Sequence, residues 1–499
     1  MERSMRRAGR YSRVVISLGI VGLIVMGILP AASVVGAAEE TTYDLDFEIP
    51  EANSKDIFKI WGYSEFRPFI RLLDKNSALY KQKYYKDPQN DTQTDYLLNL
   101  RPEISIDYGQ FGMYARPRLE VDWSEVKGAT LVLDEPSEEF WTEEKHWGGS
   151  IMLEEAFVTW RPSPTLTAEA GKKVLTWGKG YAWNPVAFAS RPKDVDDPDH
   201  AREGYVMSYL DYIRSFAGPL KTLAVTPLVL PVADRLNAEL ASGDSLLVGG
   251  KVYALLYDID LDLMFMAGNK YDTRVGFDFS TNLTSNLEIH GESALRFGYN
   301  KNIIDAGGEI RSKKYDALNF LVGFRYLNSY DTTIIAEYYH NGEGYSPGEL
   351  RDYYNLIDNG YSEYIENTIT SNIQANLKIL NGNSQGKSGN NSQNSNNSSL
   401  LKDSAQVAST YNKSTAGQDY LYLRISQKEP FDILYLTPTV TLITNLGDLS
   451  CSLNPEISYM VIPNLELKPR LIIPIGPPQS EFGEKVNAIR GEFRITYYF

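Results

Sequence analysis

Ala488-Ile489-Arg490-Gly491-Glu492-Phe493-Arg494-Ile495-Thr496-Tyr497-Tyr498-Phe499 lies at the C-terminal end of the sequence. In an extended chain Ile489, Gly491, Phe493, Ile495, Tyr497 and Phe499 share one face. Ala488, Arg490, Glu492, Arg494, Thr496 and Tyr498 share the other. Strand side chains alternate with a period of two, so this run reads as a strand with one apolar and one polar face. It exceeds the usual strand of about five to six residues and suits a tilted membrane crossing of about 9–11.

The pattern recurs along the chain. Met113, Ala115, Pro117, Leu119, Val121 and Trp123 oppose Tyr114, Arg116, Arg118, Glu120 and Asp122. Leu98, Leu100, Ile104 and Ile106 oppose Asn99, Arg101, Glu103, Ser105 and Asp107. Leu287, Ile289, Leu295 and Phe297 oppose Glu288, His290, Glu292 and Arg296. Leu465, Leu467, Leu471 and Ile473 oppose Glu466, Lys468 and Arg470. Eighteen strands are predicted, at 56–67, 94–107, 111–124, 150–161, 165–176, 204–215, 222–231, 246–256, 259–269, 273–282, 286–299, 314–327, 331–342, 418–428, 433–443, 449–460, 464–474 and 487–499.

Connection length separates the two architectures that alternate this way. A soluble sandwich has shorter strands and more uniform turns. Here short connections (Tyr108-Gly109-Gln110, Pro162-Ser163-Pro164, Leu283-Thr284-Ser285, Asn328-Ser329-Tyr330, Val461-Ile462-Pro463) alternate with mostly long ones (125–149, 177–203, 300–313, 343–417, 475–486). Short periplasmic turns and long outer loops are the pattern of a membrane barrel. An open sheet edge in lipid leaves backbone groups unsatisfied, so the sheet must close. The expected fold is all-β: a transmembrane antiparallel up-and-down barrel of about 18 strands over 56–499.

Composition agrees. The 499 residues carry a formal charge of −15, one Cys and 34 Tyr, and 43% are hydrophobic. The acidic balance argues against nucleic acid as a partner. A single Cys excludes a disulfide scaffold and Cys-based metal sites. Cys451 falls on an apolar face and reads as inert. The Tyr excess reads as interfacial girdles at strand ends, with Trp123, Trp160, Trp177, Tyr299, Tyr326, Tyr338, Tyr459 and Tyr497 as members.

Residues 1–38 read as a cleaved signal peptide. Arg3, Arg6, Arg7, Arg10 and Arg13 precede an apolar core, Val14 to Pro30, and small residues exit at Val35-Gly36-Ala37 or Gly36-Ala37-Ala38. Cleavage takes the formal charge from −15 to −19. Residues 39–55 form a short periplasmic segment, too short for the plug of an energy-coupled receptor. Segment 380–418 is Asn/Ser/Gly-rich and is expected to be disordered, after one or two short helices in 349–379. Whether this 343–417 outer loop plugs the lumen stays open.

Two resemblances follow from these residues. Phe493, Ile495, Tyr497 and Phe499 resemble the C-terminal signal of Gram-negative outer-membrane barrels, which implies recognition by the barrel-assembly machinery. Leu153-Glu154-Glu155-Ala156-Phe157-Val158-Thr159-Trp160-Arg161, Ala170-Gly171-Lys172-Lys173-Val174-Leu175-Thr176-Trp177-Gly178-Lys179-Gly180 and Trp183-Asn184-Pro185 resemble a hairpin of a large, poorly characterised porin-like family. There the pattern reads L-R-E-A-Y-V-x-W, G-K-Q, W-G and N-P. Glu154 stands for the Arg and Lys173 for the Gln. The resemblance covers about a tenth of the chain and implies a porin-like barrel without naming a solute.

If the last strand pairs with the first, Arg67, Arg101, Arg116, Arg118, Lys468, Arg470, Arg490 and Arg494 line one wall of the lumen. Asp260, Asp262, Asp278, Glu288, Glu292 and Glu337 line the opposite wall. Opposed walls create a transverse field that orients charged solutes. Against this, each wall contains the other sign, and cross-strand ion pairs that merely stiffen it are the favoured expectation. The 177–203 loop is the candidate constriction, through Trp183, Arg191, Lys193, Asp196 and His200. Its Asp194, Asp196, Asp197 and Asp199 lack the spacing of a calcium loop, so no metal is expected. His290 between Glu288 and Glu292 has no nucleophile beside it, so no catalysis and no cofactor are expected.

The expected function is a passive outer-membrane porin for small hydrophilic solutes. The expected partners are the bilayer, the assembly machinery and those solutes. Homo-oligomerisation stays open. The alternatives are a scaffold barrel around a cytochrome partner, and an adhesin or receptor acting through 343–417.

Overall fold

The computed structural model describes residues 57–124, 138–141, 147–241, 243–305, 307–380 and 399–499. The predicted signal peptide and the 39–55 segment lie outside them. Nineteen strands form one antiparallel sheet: β1 (Phe58–Leu73), β2 (Thr92–Tyr108), β3 (Phe111–Ser124), β4 (Glu138–Trp141), β5 (Trp147–Ser163), β6 (Leu166–Lys173), β7 (Tyr205–Ser215), β8 (Leu220–Val232), β9 (Ser245–Leu256), β10 (Ile259–Gly268), β11 (Tyr271–Thr284), β12 (Leu287–Ile304), β13 (Ile310–Leu327), β14 (Thr332–His340), β15 (Asp419–Gln427), β16 (Leu436–Asn445), β17 (Ser450–Ile462), β18 (Leu465–Ile475) and β19 (Asn487–Tyr498). Eighteen of them close the barrel. The short β4 pairs only with β5, inside the connection expected to be a plain loop. The seam is β1 against β19. There Gly62 N donates to Phe499 O at 3.1 Å and Phe499 N to Gly62 O at 3.0 Å.

All eighteen predicted strands are present, because their period of two is set by burial on one side only. The face expected to meet lipid points outward: Leu98, Met113, Val158, Leu263, Val322 and Tyr497 are each 47–58% exposed. The opposite face points in, with Asn99, Arg101, Glu120, Asp278 and Glu292 buried. Tyr257-Asp258 joins β9 to β10 with both residues at positive φ (51° and 65°), the twist that a two-residue hairpin needs.

The alternation of loop lengths keeps its phase but not always its size. Asn269-Lys270 and residues 446–449 are short turns on the long-loop edge. Residues 428–435 are a longer connection on the short-turn edge. β12 and β13 run further than predicted and leave only 305–309 between them.

The long outer loop is more ordered than its composition suggests. Instead of one or two short helices it forms one, α2 (Pro347–Leu380, 34 residues). Part of the segment expected to be disordered forms α3 (Ser399–Gln406) and α4 (Ala408–Tyr411); residues 381–398 lie outside the described residues. These helices pack with α1 (Ala78–Tyr84), in the β1–β2 connection. The shared core holds Leu79, Leu350, Tyr353, Ile357, Leu401 and Tyr411. Tyr411 stacks between Tyr345 (3.8 Å between centroids) and Tyr353 (4.2 Å). Lys81 pairs with Asp358 across the α1–α2 contact. Composition misled because a few large aromatic residues, rather than the average polarity, supply the core.

Candidate functional site

The 174–204 connection, between β6 and β7, contains no regular element and folds into the barrel. It is fastened to the acidic wall first. Glu292 on β12 accepts hydrogen bonds from Lys179 N and Gly180 N, both at 2.6 Å, and from Asn184 Nδ2 at 2.9 Å. Glu337 on β14 accepts from Tyr181 N and from Ala182 N at 3.0 Å. His290 Nε2 lies 3.1 Å from the same Glu337 carboxylate. Four consecutive backbone amides therefore face two buried carboxylates. Behind them, Lys193 Nζ donates to the carbonyls of Gly180 (2.8 Å) and Tyr181 (2.9 Å). Lys179 Nζ reaches Asp262 at 3.1 Å, where Lys251 also pairs at 3.4 Å.

Glycine makes this approach possible. Gly178 has φ +96°, and a Cβ there would sit 2.7 Å from both Asn184 Nδ2 and Glu292 Oε1. A side chain would close the gap that lets the backbone meet the carboxylate.

Apolar packing holds the same stretch. Trp177, Val186 and Phe188 pack on Leu228, Leu230, Leu247, Met264 and Met266. The inner face of β8–β10 is thus partly apolar, and alternation alone did not signal this. Trp177, expected in a girdle, is inside and 4% exposed. Trp183 does not line open space either. It stacks on Tyr339 (5.1 Å, 22°) and meets Tyr420 and Tyr422 in a cluster with Val195 and Phe482.

The far end of the loop reaches the basic wall. Asp197 accepts from Arg470 at 3.1 Å and from Arg494 at 2.7 Å. Asp196 accepts from Asn454 Nδ2 at 2.7 Å. His200 Nε2 lies 3.1 Å from Arg101, and Arg116 donates to the Arg202 carbonyl at 2.9 Å. Arg191 turns away, to Glu203 (3.1 Å) and Glu239 (2.8 Å). Burial would raise the Asp197 carboxyl, but Arg494 and Arg470 hold it well below the usual carboxylate range. Burial, then Arg101 and Arg67, push His200 far below the ordinary histidine value, so its ring is neutral.

The wall arginines are themselves paired. Glu154 takes Arg101 (3.3 Å), Arg116 (3.2 Å) and Arg118 (3.5 Å). Arg67 pairs with Glu65 (2.9 Å), Arg490 with Glu492 (3.2 Å) and Lys468 with Glu466 (3.5 Å). On the other wall, Asp278 sits in register with Asp262 on one side and Glu292 on the other. Asp260 accepts from Tyr253 Oη, and Glu288 lies 3.7 Å from His290. In the ring of eighteen, β12 is nine strands from β2, so Glu292 and Arg101 sit on opposite walls. One loop brings both charged sets together. Of the assembly residues, Phe493, Tyr497 and Phe499 face outward at 38%, 49% and 48% exposure, and Ile495 is half-buried between them.

Sequence reading missed two supports of the site. A β-bulge at Glu154-Glu155 turns both residues inward; the local sign of it is Pro117, on the partner strand at the register shift. The β18–β19 connection reaches both outer helices and loop. Glu481 accepts from Ala416 N (2.8 Å) and Asn445 Nδ2 (2.7 Å), while Phe482 joins the Trp183 cluster.

A closed antiparallel ring, apolar outside and ionic inside, with one loop across its interior, defines an all-β up-and-down barrel. No protein-family model and no curated protein matches it. Among solved structures it is similar to OccAB2 of Acinetobacter baumannii, at 11% identity and TM-score 0.46, over 89% of this chain and 98% of that one. It is similar to OccK9 (OpdG) of Pseudomonas aeruginosa at 10% identity and TM-score 0.47, over 89% and 98%. A triple mutant of Rhodopseudomonas blastica porin aligns at 9% identity and TM-score 0.39, over 89% and 100%.

Proposed function

We propose that the protein is an outer-membrane channel through which small hydrophilic solutes diffuse, with no covalent step. What supports this is the 174–204 loop, bonded to both charged walls inside a ring of closed strands. Residues 1–38 direct export and are cleaved. The alternate aromatic and apolar residues Phe493, Ile495, Tyr497 and Phe499 present β19 to the assembly machinery. The ion-paired walls favour a stiff, weakly selective passage over a strong transverse field, because each arginine of the basic wall is screened by a carboxylate within about 4 Å.

Reconstitution in planar bilayers tests the reading. Discrete single-channel steps that survive deletion of 343–417 are expected. A silent barrel that conducts only after its interior is emptied would support a scaffold instead. Conductance unaffected by the deletion, together with loss of binding to a cell surface, would support the adhesin.

A further inference from the structure

We infer that Glu292 and Glu337 are positioning residues that hold the 174–204 loop at its depth in the lumen and so set the width of the passage. The inference rests on the channel reading and adds to it which groups fix the constriction. Both carboxylates are buried, at 3% and 0% exposure. A buried carboxylate without donors is costly, and here most of the donors are backbone amides of the loop, joined by Asn184 at Glu292 and by His290 of the wall at Glu337. The peptide planes of this turn are polarised from both sides, with Glu292 and Glu337 on the N–H side and Lys193 on the carbonyl side. This placement of the turn satisfies both carboxylates at once through four consecutive amides.

The loop's other polar contacts with the wall lie nearer its ends. Val174 N donates to Glu155 at 2.8 Å where the loop begins, and Asp197 meets Arg470 and Arg494 toward its far end. The amides of 179–182 are the main-chain anchor between them.

The test uses the full-length barrel in detergent and in bilayers, with Cys451→Ser as background. Val195→Cys, buried beside Trp183 at 4% exposure, reports loop release by maleimide labelling. Glutamine keeps the shape but turns an amide donor toward the loop amides. Labelling is expected to accelerate about tenfold in Glu292→Gln/Glu337→Gln, the effect of losing charge-assisted bonds. Conductance should rise in parallel and become noisier. If the double variant does not insert, each single variant is expected to accelerate labelling about threefold, as one of two anchors remains. Glu103→Gln, on β2 and bonded to Tyr114 rather than to the loop, should label like the parent. Unchanged labelling in the glutamine variants overturns the inference. Accelerated labelling in a barrel that never conducts supports the anchoring and removes the channel reading.

Discussion

Glu154 and Glu155 are adjacent in sequence and face the same way, their carboxylates 3.2 Å and 3.1 Å from Arg116. A regular strand forbids this, since neighbours point to opposite faces. The bulge opposite Arg116-Pro117 allows it and delivers two negative charges to one spot. Glu154 then serves three arginines while only 1% exposed.

Removing Glu154 should therefore be costly. Glu154→Ala leaves buried Arg101 without its carboxylate, and breaking such a pair costs about 3–5 kcal/mol. Urea unfolding of the detergent-solubilised barrel, followed by Trp fluorescence, should show that loss. Glu155→Ala should cost less, because Arg116 keeps Glu154.

The same pairing predicts a quiet result for selectivity. Arg116 is engaged by Glu154, Glu155 and the Arg202 carbonyl. Neutralising it as Arg116→Gln should leave the anion-to-cation permeability ratio within about twofold, since the charge is already screened. A marked fall in anion permeability would restore the transverse-field reading.

His200 gives the passage a pH dependence. Its folded-state pKa lies below the unfolded value of about 6.5, so the unfolded or released loop binds more protons. Contact between loop and wall is then at full strength above pH about 6.5 and weakens as pH falls, by at most about 1.4 kcal/mol per unit. Asp197, held low by Arg494 and Arg470, acts in the same direction as His200, but only once the pH falls toward its ordinary value of 3.8. The groups around His200 are Arg101, Arg67 and Arg494 on the wall and Asp197 on its own loop. Channel conductance should rise between pH 7 and pH 4, and His200→Gln should flatten that rise.

Gly178→Ala should disturb the loop and spare the barrel. The left-handed φ alone costs a residue with Cβ about 1–2 kcal/mol, and the new methyl would crowd Glu292. Heat-modifiable gel mobility should match the parent, while single-channel recordings should show larger and less uniform steps.

The strands were legible because each carries its own record: one dry face, one wet face, and a turn. The lumen was half legible. The signs of the walls could be read from Arg101, Arg494, Asp262 and Glu292. What those residues touch could not, because Asp197 and Arg494 are separated by most of the chain. Backbone donors are also invisible in a sequence, so Glu292 and Glu337 read as pore-lining charges instead of loop anchors. Gly178 and Gly180 beside Lys179 were the one local sign that a main chain approaches something closely. α2 hid behind its polar composition, and its partner α1 lies in a different connection.

A hollow cylinder under lateral pressure flattens into an oval, and a wide barrel in a fluid bilayer meets such pressure constantly. The 174–204 segment is tied at one end to β12 and β14 and at the other to β18, β19 and β2. It is a cross-member between the two walls. Cutting it would be felt on the outside of the ring, in the roundness that lipids and neighbouring proteins encounter.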